Sequence, residues 1–471
     1  MILKTLNTFL KNYPKAPLVI AYSGGVDSQV LLHAVAQLKR QNILKQNVIA
    51  IHVNHGLSPF AKQWQNFALH QCEQLNIQFK TVNVKVLEKP RTSLEAQARD
   101  KRYQALEELS PKNAVILTGH HQDDQVETFF LSLKRGSGLK GLSAMGIESE
   151  FGCKNQRLLR PLLNVSREGI VHYAQEHQLK WIEDESNTDT RFDRNFLRKE
   201  ILPKLKARWS NFNQTVTRSA QHCQEAQQIL DEVAEQDLEH CLVEKSVLAI
   251  PALMALSLAR FNQTVRFFIH QHKSLMPTQQ QLEQLYEQLS EAGKDKTPEV
   301  KLGDVWLRRF QDKLYLTSEY QAVKEWQYEI DLDKNNQTIE LPDRLGKLIL
   351  YLDQEKIIDS HEVPDNSARY KLDSDIDEKS ITSLSLPNNI QSIKLAFSHE
   401  NPKCLPDYRR QSRSLKKVLQ ELSIPPWQRK RLPLLFINNE LVAVIGYFVC
   451  QPFIADKHQN KIIVHWLKES G

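Results

Sequence analysis

The chain is poor in the residues that hold small or redox-active proteins together. Its six cysteines (Cys72, Cys153, Cys223, Cys241, Cys404 and Cys450) are scattered through 471 residues with no C-x-x-C pair. That argues against a disulfide framework, a zinc ribbon or an iron–sulfur site, and the thiols are expected to be packed or idle. Long hydrophobic runs are also missing. The longest near the C-terminus, Leu441 to Cys450, has ten residues, whereas a membrane-spanning helix needs roughly 20. At the N-terminus Leu3, Leu6, Phe9 and Leu10 recur at helical spacing with lysines between them and no small-residue cleavage site. This reads as an amphipathic helix rather than a signal peptide, so a cytoplasmic protein with no membrane partner is expected. Charge of one sign is scarce: 62 Lys plus Arg against 56 Asp plus Glu leave +6, an excess that matters only where it is concentrated. There is no internal repeat and no low-complexity tract.

What is present is globular text, 41% hydrophobic and 25% charged, long enough for several domains. From Leu18 to about Trp209 apolar β-rich runs alternate with amphipathic segments. The runs are Leu18 to Tyr22, Val48 to Val53, Phe79 to Val86 and Ala114 to Gly119, with a further short strand in Arg157 to Leu163. Continuous apolar strands separated by helices predict a parallel, Rossmann-like α/β sheet covered on both faces. After about Ser210 the text becomes Gln- and Leu-rich and helical, with no strand signal until Val300; beyond Asn335 it is strand-rich. The expected domains are 1–215, a nucleotide-binding catalytic domain; 216–325, mainly helical; and 326–471, a small α+β domain.

The first strand runs directly into Ser23-Gly24-Gly25-Val26-Asp27-Ser28 and then into a helix carrying Val30, Leu31, Ala34, Val35 and Leu38. Strand, glycine-rich turn and helix N-terminus together make an anion site, because the backbone can curl around a phosphate and the first helical N–H groups point at it. The loop lacks the lysine of G-x-x-x-x-G-K-[ST] and the third glycine of the dinucleotide fingerprint. SGGVDS instead resembles the PP-loop of the ATP-pyrophosphatase superfamily, the adenine nucleotide alpha-hydrolase-like fold, whose members split ATP between the α and β phosphates. The resemblance implies that Ser23 to Ser28 hold the departing pyrophosphate. Asp27, an acid where phosphates gather, makes sense mainly as a Mg²⁺ ligand. The bland alternative is a tight turn in which Asp27 or Ser28 merely caps the helix.

Two further segments leave the C-terminal edge of the sheet, where open α/β sheets bind ligands: His52 to Leu57, and Thr118 to Thr128. His52, His55, His120, His121 and Asp124 could form a metal-hydrolase cluster, a poor companion for a pyrophosphate loop. Asp124 followed three residues later by Glu127 resembles a capping box opening the next helix. On the helix from Ser93 to Leu109, Arg102 and Glu95 fall at the edge of the apolar sector, where burial is expected. They read equally as a buried pair and as a site where Arg102, with Arg99 nearby, reaches a phosphate or an activated base.

The chain as a whole resembles the bacterial tRNA(Ile)-lysidine synthetases. The matching segments are SGGVDS, HVNHGL, SLEAQARDKRY, TGHHQDDQVETFF, LKRGSGLKGLSAM, RPLL, WIEDESNTDTRFDRNFLRKEILP, MPTQQQLEQL and LKKVLQELSIPPWQRKRLPLLF. Asn54, Ser58 and Arg409-Arg410-Gln411 depart from the common pattern. The resemblance implies a ligase that uses ATP and L-lysine to convert the wobble cytidine of a CAU anticodon in tRNA(Ile) to lysidine through an adenylated cytidine. It implies roles for Asp124 and His120 at the lysine amine, and for Arg99 or Arg102 and Arg194 or Arg198 at the adenylated base. A homodimer is left open. A PP-loop tRNA thiolase is the alternative enzyme, against which the lack of paired cysteines counts. A non-catalytic tRNA-binding protein is the alternative outside enzymes, against which the intact SGGVDS counts.

Positive charge gathers in two stretches. Arg191 to Arg208 holds seven Lys or Arg against Asp193 and Glu200, and Arg409 to Arg431 holds eight against Glu421, with Trp427 beside them as a stacking or packing ring. Contact with an RNA backbone is the expectation. Replacing Lys416 and Lys417 with alanine is expected to weaken tRNA binding and to flatten its dependence on log salt by up to about two units. Filter-binding titrations at several salt concentrations read both; unchanged slopes would make the cluster an ordinary solvated face.

Overall fold

The computed structural model describes residues 2–56, 58–84, 94–183, 185, 189–291, 297–353, 381–387, 390–454 and 461–468. They form two compact units, Met1–Gln236 and Asp237–Gly471. The first opens with α1 (Ile2–Leu10) and continues through β1 (Leu18–Ala21), α2 (Val26–Arg40), β2 (Val48–Asn54), α3 (Ala61–Gln74), β3 (Gln78–Asn83), α4 (Leu94–Leu109) and β4 (Val115–Leu117). Then come α5 (Gln122–Lys134), α6 (Leu139–Leu142), β5 (Glu148–Phe151), β6 (Gln156–Leu159) and α7 (Arg167–Glu176). The sheet order is β3-β2-β1-β4-β6-β5. Every pairing is parallel except β5 against β6.

Both faces of this sheet are dry, which is why its strands read as unbroken apolar text. Leu18, Ile20, Val48, Ala50, Val115 and Leu117 face α1, α2 and α7, while Val19, Ile49, Ile51 and Ile116 face Leu106 of α4. The chain leaves β1 toward β2 on one side and β4 on the other. The crevice at that reversal, beyond the strand C-termini, is where the glycine-rich loop and the Thr118–Thr128 segment emerge. β5 was not legible in the sequence, since Glu148-Ser-Glu-Phe carries one buried residue in four. The expected extension of β3 to Val86 ends outside the described residues.

After α7 the chain forms α8 (Asp193–Phe196), a π-type turn (Leu197–Ile201) and α9 (Leu202–Arg208). Pro203 has no amide to continue the α-helical ladder, and the N–H of Leu202 reaches back five residues to the Leu197 carbonyl instead. The composition change near Ser210 coincides with the start of α10 (Phe212–Cys241).

In the second unit, two short strands missed by the sequence reading, β7 (Leu242–Glu244) and β8 (Val247–Ala249), precede α11 (Ile250–Met254), α12 (Leu258–Gln271) and α13 (Gln279–Glu291). They join β9 (Glu299–Leu302), β10 (Val305–Phe310) and β11 (Lys313–Ser318) in a sheet ordered β7-β8-β11-β10-β9. The helices bury Phe261, Val265, Phe268, Leu282 and Leu285 against it. The remainder builds antiparallel sheets around one core that includes Leu348, Leu395, Leu434, Val442 and Val464. All six cysteines are free, and four of them are buried. No helix among the described residues is long and apolar enough to cross a membrane.

The C-terminal basic stretch divides into two populations. Arg409 and Arg413 both bind Glu421, Arg429 donates to the Ile424 carbonyl at 2.7 Å, and Arg431 pairs with Asp343 while lying 4.1 Å from the centre of the Tyr320 ring. Arg410, Lys416, Lys417 and Lys430 are exposed. Trp427 is buried, 5.5 Å from the ring of Tyr315 and 6.3 Å from that of Phe310, so of the two roles it takes the packing one. Trp427→Ala is expected to cost about 3 kcal/mol of stability in urea unfolding. Wild-type stability with lost RNA affinity would instead mark a stacking ring.

Candidate active site

β1 ends at Ala21 and the chain turns through Ser23–Ser28 into α2. Gly24 has φ +89°, and a Cβ there would stand 2.8 Å from Cδ1 of Ile182, so only glycine fits. Gly25 is the helix N-cap and makes no side-chain capping bond. Val26 buries its side chain in the core beside the loop. The Ser28 hydroxyl accepts from the backbone N–H groups of Ser23 (3.3 Å) and Gly24 (3.2 Å) and donates to the Gly25 carbonyl (3.0 Å). One side chain thus pre-forms the curl of amides at the positive end of a 15-residue helix. The plain capping alternative does not describe this loop, because the cap is a glycine and Ser28 points back into the turn.

At the end of β4, Gly119 lies against this loop. A Cβ at Gly119 would fall 2.9 Å from the Asp27 carbonyl carbon and 3.0 Å from the Ser28 nitrogen. The two segments therefore meet backbone to backbone, a constraint the sequence hinted at only as a glycine closing an apolar strand.

The capping box of α5 sits three residues earlier than expected. His121 is the N-cap: its N–H donates to Asp124 Oδ2 (3.0 Å), and its Nδ1 accepts from the Asp123 N–H (3.2 Å). Glu127 is free of capping duty. Its side chain, 1% exposed, accepts two bonds from Arg198, at 2.6 Å from Nε and 2.9 Å from Nη2. Arg198 also reaches Asp124 Oδ1 at 3.4 Å, and Arg194 lies 3.5 Å from Glu127 while donating to the Thr128 hydroxyl at 3.2 Å. Lys206 pairs with Asp123. The Arg191–Arg208 segment is thereby docked on α5 by ion pairs, and its π-type turn carries Arg198. The sequence suggested Glu127 as half of a capping box and Lys206 as part of the basic stretch, not as members of these ion pairs; the available signal was an acid beside Val126, Phe129 and Phe130, where a charge demands a partner.

One cavity of about 880 Å³ gathers Ser23, Asp27, Ser28, Arg99, Arg102, His120, Asp124, Arg194 and Arg198 on its walls, with Gly24, Gly25 and Val26 forming the rest of the loop. Asn195 and Asp189 line it too. Arg102 is exposed, not buried as its helical position suggested, because the apolar sector of α4 closes on Ala105 and Leu106 without it. The Glu95 side chain, its proposed partner, lies outside the described residues, as do Asp184 and 186–188 of the WIEDESNTD segment. Arg99 lies over the Tyr103 ring at 5.0 Å and donates to its hydroxyl at 3.2 Å.

Burial sets the electrostatics of the histidines. It pushes His120 down to about 3, with Asp124 opposing, and His55 down to about 4, with Arg102 adding to the effect. His52 is lowered by burial too, and its Nδ1 donates to the Tyr22 carbonyl at 3.0 Å. These rings are neutral at physiological pH. Burial raises the Asp124 carboxyl, but His121, His120 and the backbone N–H of His121 outweigh it and hold the group below its ordinary value. Asp27 goes the other way: burial raises it, with His121 and Arg167 opposing.

Asp27 Oδ1 is buried and completes no hydrogen bond. An orphaned carboxylate oxygen facing a phosphate loop suits a hard divalent cation such as Mg²⁺, whose preferred ligands are oxygens. Among the described residues, no group of three or more His, Cys, Asp or Glu is arranged to hold a metal. The metal-hydrolase cluster gains no support from this geometry.

Family models match three stretches of the chain: a PP-loop domain over residues 1–205, a TilS substrate binding domain over 248–315 and a TilS substrate C-terminal domain over 393–466. The chain is 38% identical to the tRNA(Ile)-lysidine synthase of Serratia proteamaculans, over 96% of each chain. It is 39% identical to that of Actinobacillus pleuropneumoniae, over 96% of this chain and all of the other. With the Coxiella burnetii protein of the same name the identity is 35%, over 96% of this chain and 93% of the other.

The raised Asp27 carboxyl yields a stability test. Ionisation there opposes folding, so the favourable contribution is complete below the unfolded value of 3.8 and is lost as pH rises through the higher folded one. Asp27→Asn is therefore expected to melt at a higher temperature than wild type at neutral pH, the gap closing as the pH falls into the ordinary carboxyl range. Circular-dichroism melts across pH measure it; a lower melting temperature at neutral pH would show that the charge is compensated.

Proposed function

The chain belongs to the tRNA(Ile)-lysidine synthase family, and from that premise we propose how its residues divide the reaction. It is an ATP-dependent ligase that attaches lysine to the wobble cytidine of the CAU anticodon of tRNA(Ile). The cytosine carbonyl oxygen attacks the α-phosphate of ATP and pyrophosphate leaves; the lysine amine then bonds to the activated ring carbon and AMP leaves. A cytoplasmic location follows from the tRNA substrate.

The single observation that carries the assignment of roles is the shared cavity, whose wall includes the phosphate loop, Asp124 and four arginines. Ser23 to Ser28 bind the β and γ phosphates through backbone amides and hydroxyls. Asp27 would hold Mg²⁺, which when bound neutralises charge on the departing pyrophosphate. Arg198 and Arg194, braced on Glu127, and Arg99 and Arg102 on α4 face the adenylated base, where fixed cations stabilise charge developing on the α-phosphate. Asp124, kept ionised by its neighbours, is the counter-charge for the lysine ammonium. His120, neutral and hydrogen-bonded to the Thr118 hydroxyl at 2.8 Å, orients the amine rather than storing its proton. In this reading residues 1–215 serve as the catalytic domain, and 216–325 and 326–471 as tRNA-binding domains. Neither a thiolase nor a non-catalytic binder accounts for relatives of one name along nearly the whole chain.

The test is incubation of the purified protein with labelled lysine, ATP and total tRNA, label entering tRNA only when all three are present. Asp124→Asn is expected to raise the lysine KM by at least about tenfold while changing the ATP KM little, the loss of a charged hydrogen bond. Equal effects on both substrates would move the lysine site elsewhere.

A further inference from the structure

His121 belongs to neither group of residues given a role above, yet it stands between them. Its ring is 1% exposed, and Nε2 lies 3.5 Å from Asp27 Oδ1 and 3.5 Å from Asp124 Oδ2. The opposite nitrogen, Nδ1, accepts the Asp123 N–H. A ring that accepts at Nδ1 carries its proton on Nε2. The ring is further immobilised from the backbone side, since the His121 N–H is held by Asp124 and the Gln122 N–H by the Val165 carbonyl at 2.9 Å. One buried N–H is thus aimed between two carboxylates, and it can close on only one of them at a time.

We propose that His121 is a positioning residue for both half-reactions, its Nε2–H serving in turn the carboxylate at the phosphate loop and the carboxylate at the lysine site. While Asp27 is engaged at the phosphate loop, where it would hold Mg²⁺, the donor closes on Asp124 and fixes it. When pyrophosphate has left and Asp124 receives the ammonium, the donor closes on Asp27 Oδ1, the oxygen that otherwise has no hydrogen bond. Closing on either carboxylate shortens its 3.5 Å separation to hydrogen-bond length. The ring also stands between two acids, of which Asp124 adds to the rise of the Asp27 carboxyl. This rests on the roles proposed above for Asp27 and Asp124.

The cap and the shared donor reside on different nitrogens, so substitution separates them. Asparagine is among the best N-cap residues and can accept the Asp123 N–H as Nδ1 does, but its side chain ends too soon to reach the carboxylates. His121→Asn is expected to keep the wild-type melting temperature. It should weaken calorimetric binding of Mg²⁺ with a non-hydrolysable ATP analogue, and raise the lysine KM, each by on the order of tenfold, the usual cost of losing a residue that orients a metal ligand. Asp27→Asn and Asp124→Asn serve as references, the first altering Mg²⁺–nucleotide binding and the second lysine KM. If both references respond and His121→Asn leaves both quantities at wild-type values, or only melts earlier, His121 is a helix cap and the proposal falls. If the references do not respond, the roles of the two carboxylates fail and the proposal falls with them. Long-range ¹H–¹⁵N NMR of the His121 ring adds a check independent of activity: a proton on Nδ1 would overturn it.

Discussion

The buried carboxylate of Glu127 organises the catalytic unit. An acid with almost no solvent cannot remain ionised alone, and burial does raise it; the fork from Arg198 and the nearby Arg194 oppose that shift. Satisfying Glu127 recruits a segment more than sixty residues downstream, and with it Asn195 and both arginines arrive on the cavity wall. The π-type turn before Pro203 belongs to the same arrangement, because it is the stretch of backbone that carries Arg198. The ion pairs that satisfy Glu127 and part of the cavity wall are therefore built from the same guanidinium groups.

The lining of that cavity has a particular electrical character. Burial lowers its histidines His55 and His120, and its wall sets the four arginines Arg99, Arg102, Arg194 and Arg198 against the four acids Asp27, Asp124, Glu185 and Asp189. The recess is therefore mixed in charge, with cations and acids both on its wall, rather than a field of one sign.

Much of this was legible in the chain, for identifiable reasons. Strands buried on both faces announce themselves as apolar runs, and the SGGVDS turn has few other uses after such a strand. What was not legible depends on neighbours distant in sequence. The box at His121 and Asp124 lies three residues before the expected one; an acid three residues before another acid mimics the pattern, and a histidine is an unusual cap. Arg102 reads as half-buried on a helical wheel, yet the wheel does not know where the sheet ends. Trp427 beside a run of cations looks like a nucleotide platform, whereas Phe310 and Tyr315, over a hundred residues earlier, claim it for packing. β7 and β8 are three residues each, too short for any periodicity to show.

The bare backbone contact between Gly119 and the start of α2 carries a mechanical meaning. With no side chain to act as a cushion, the end of β4 and the first turn of α2 are packed directly on each other's backbone. Position 119 is thus a spacer of zero thickness: any side chain there would have to wedge the segment that carries His120 and Asp124 away from the loop that carries Asp27 and Ser28.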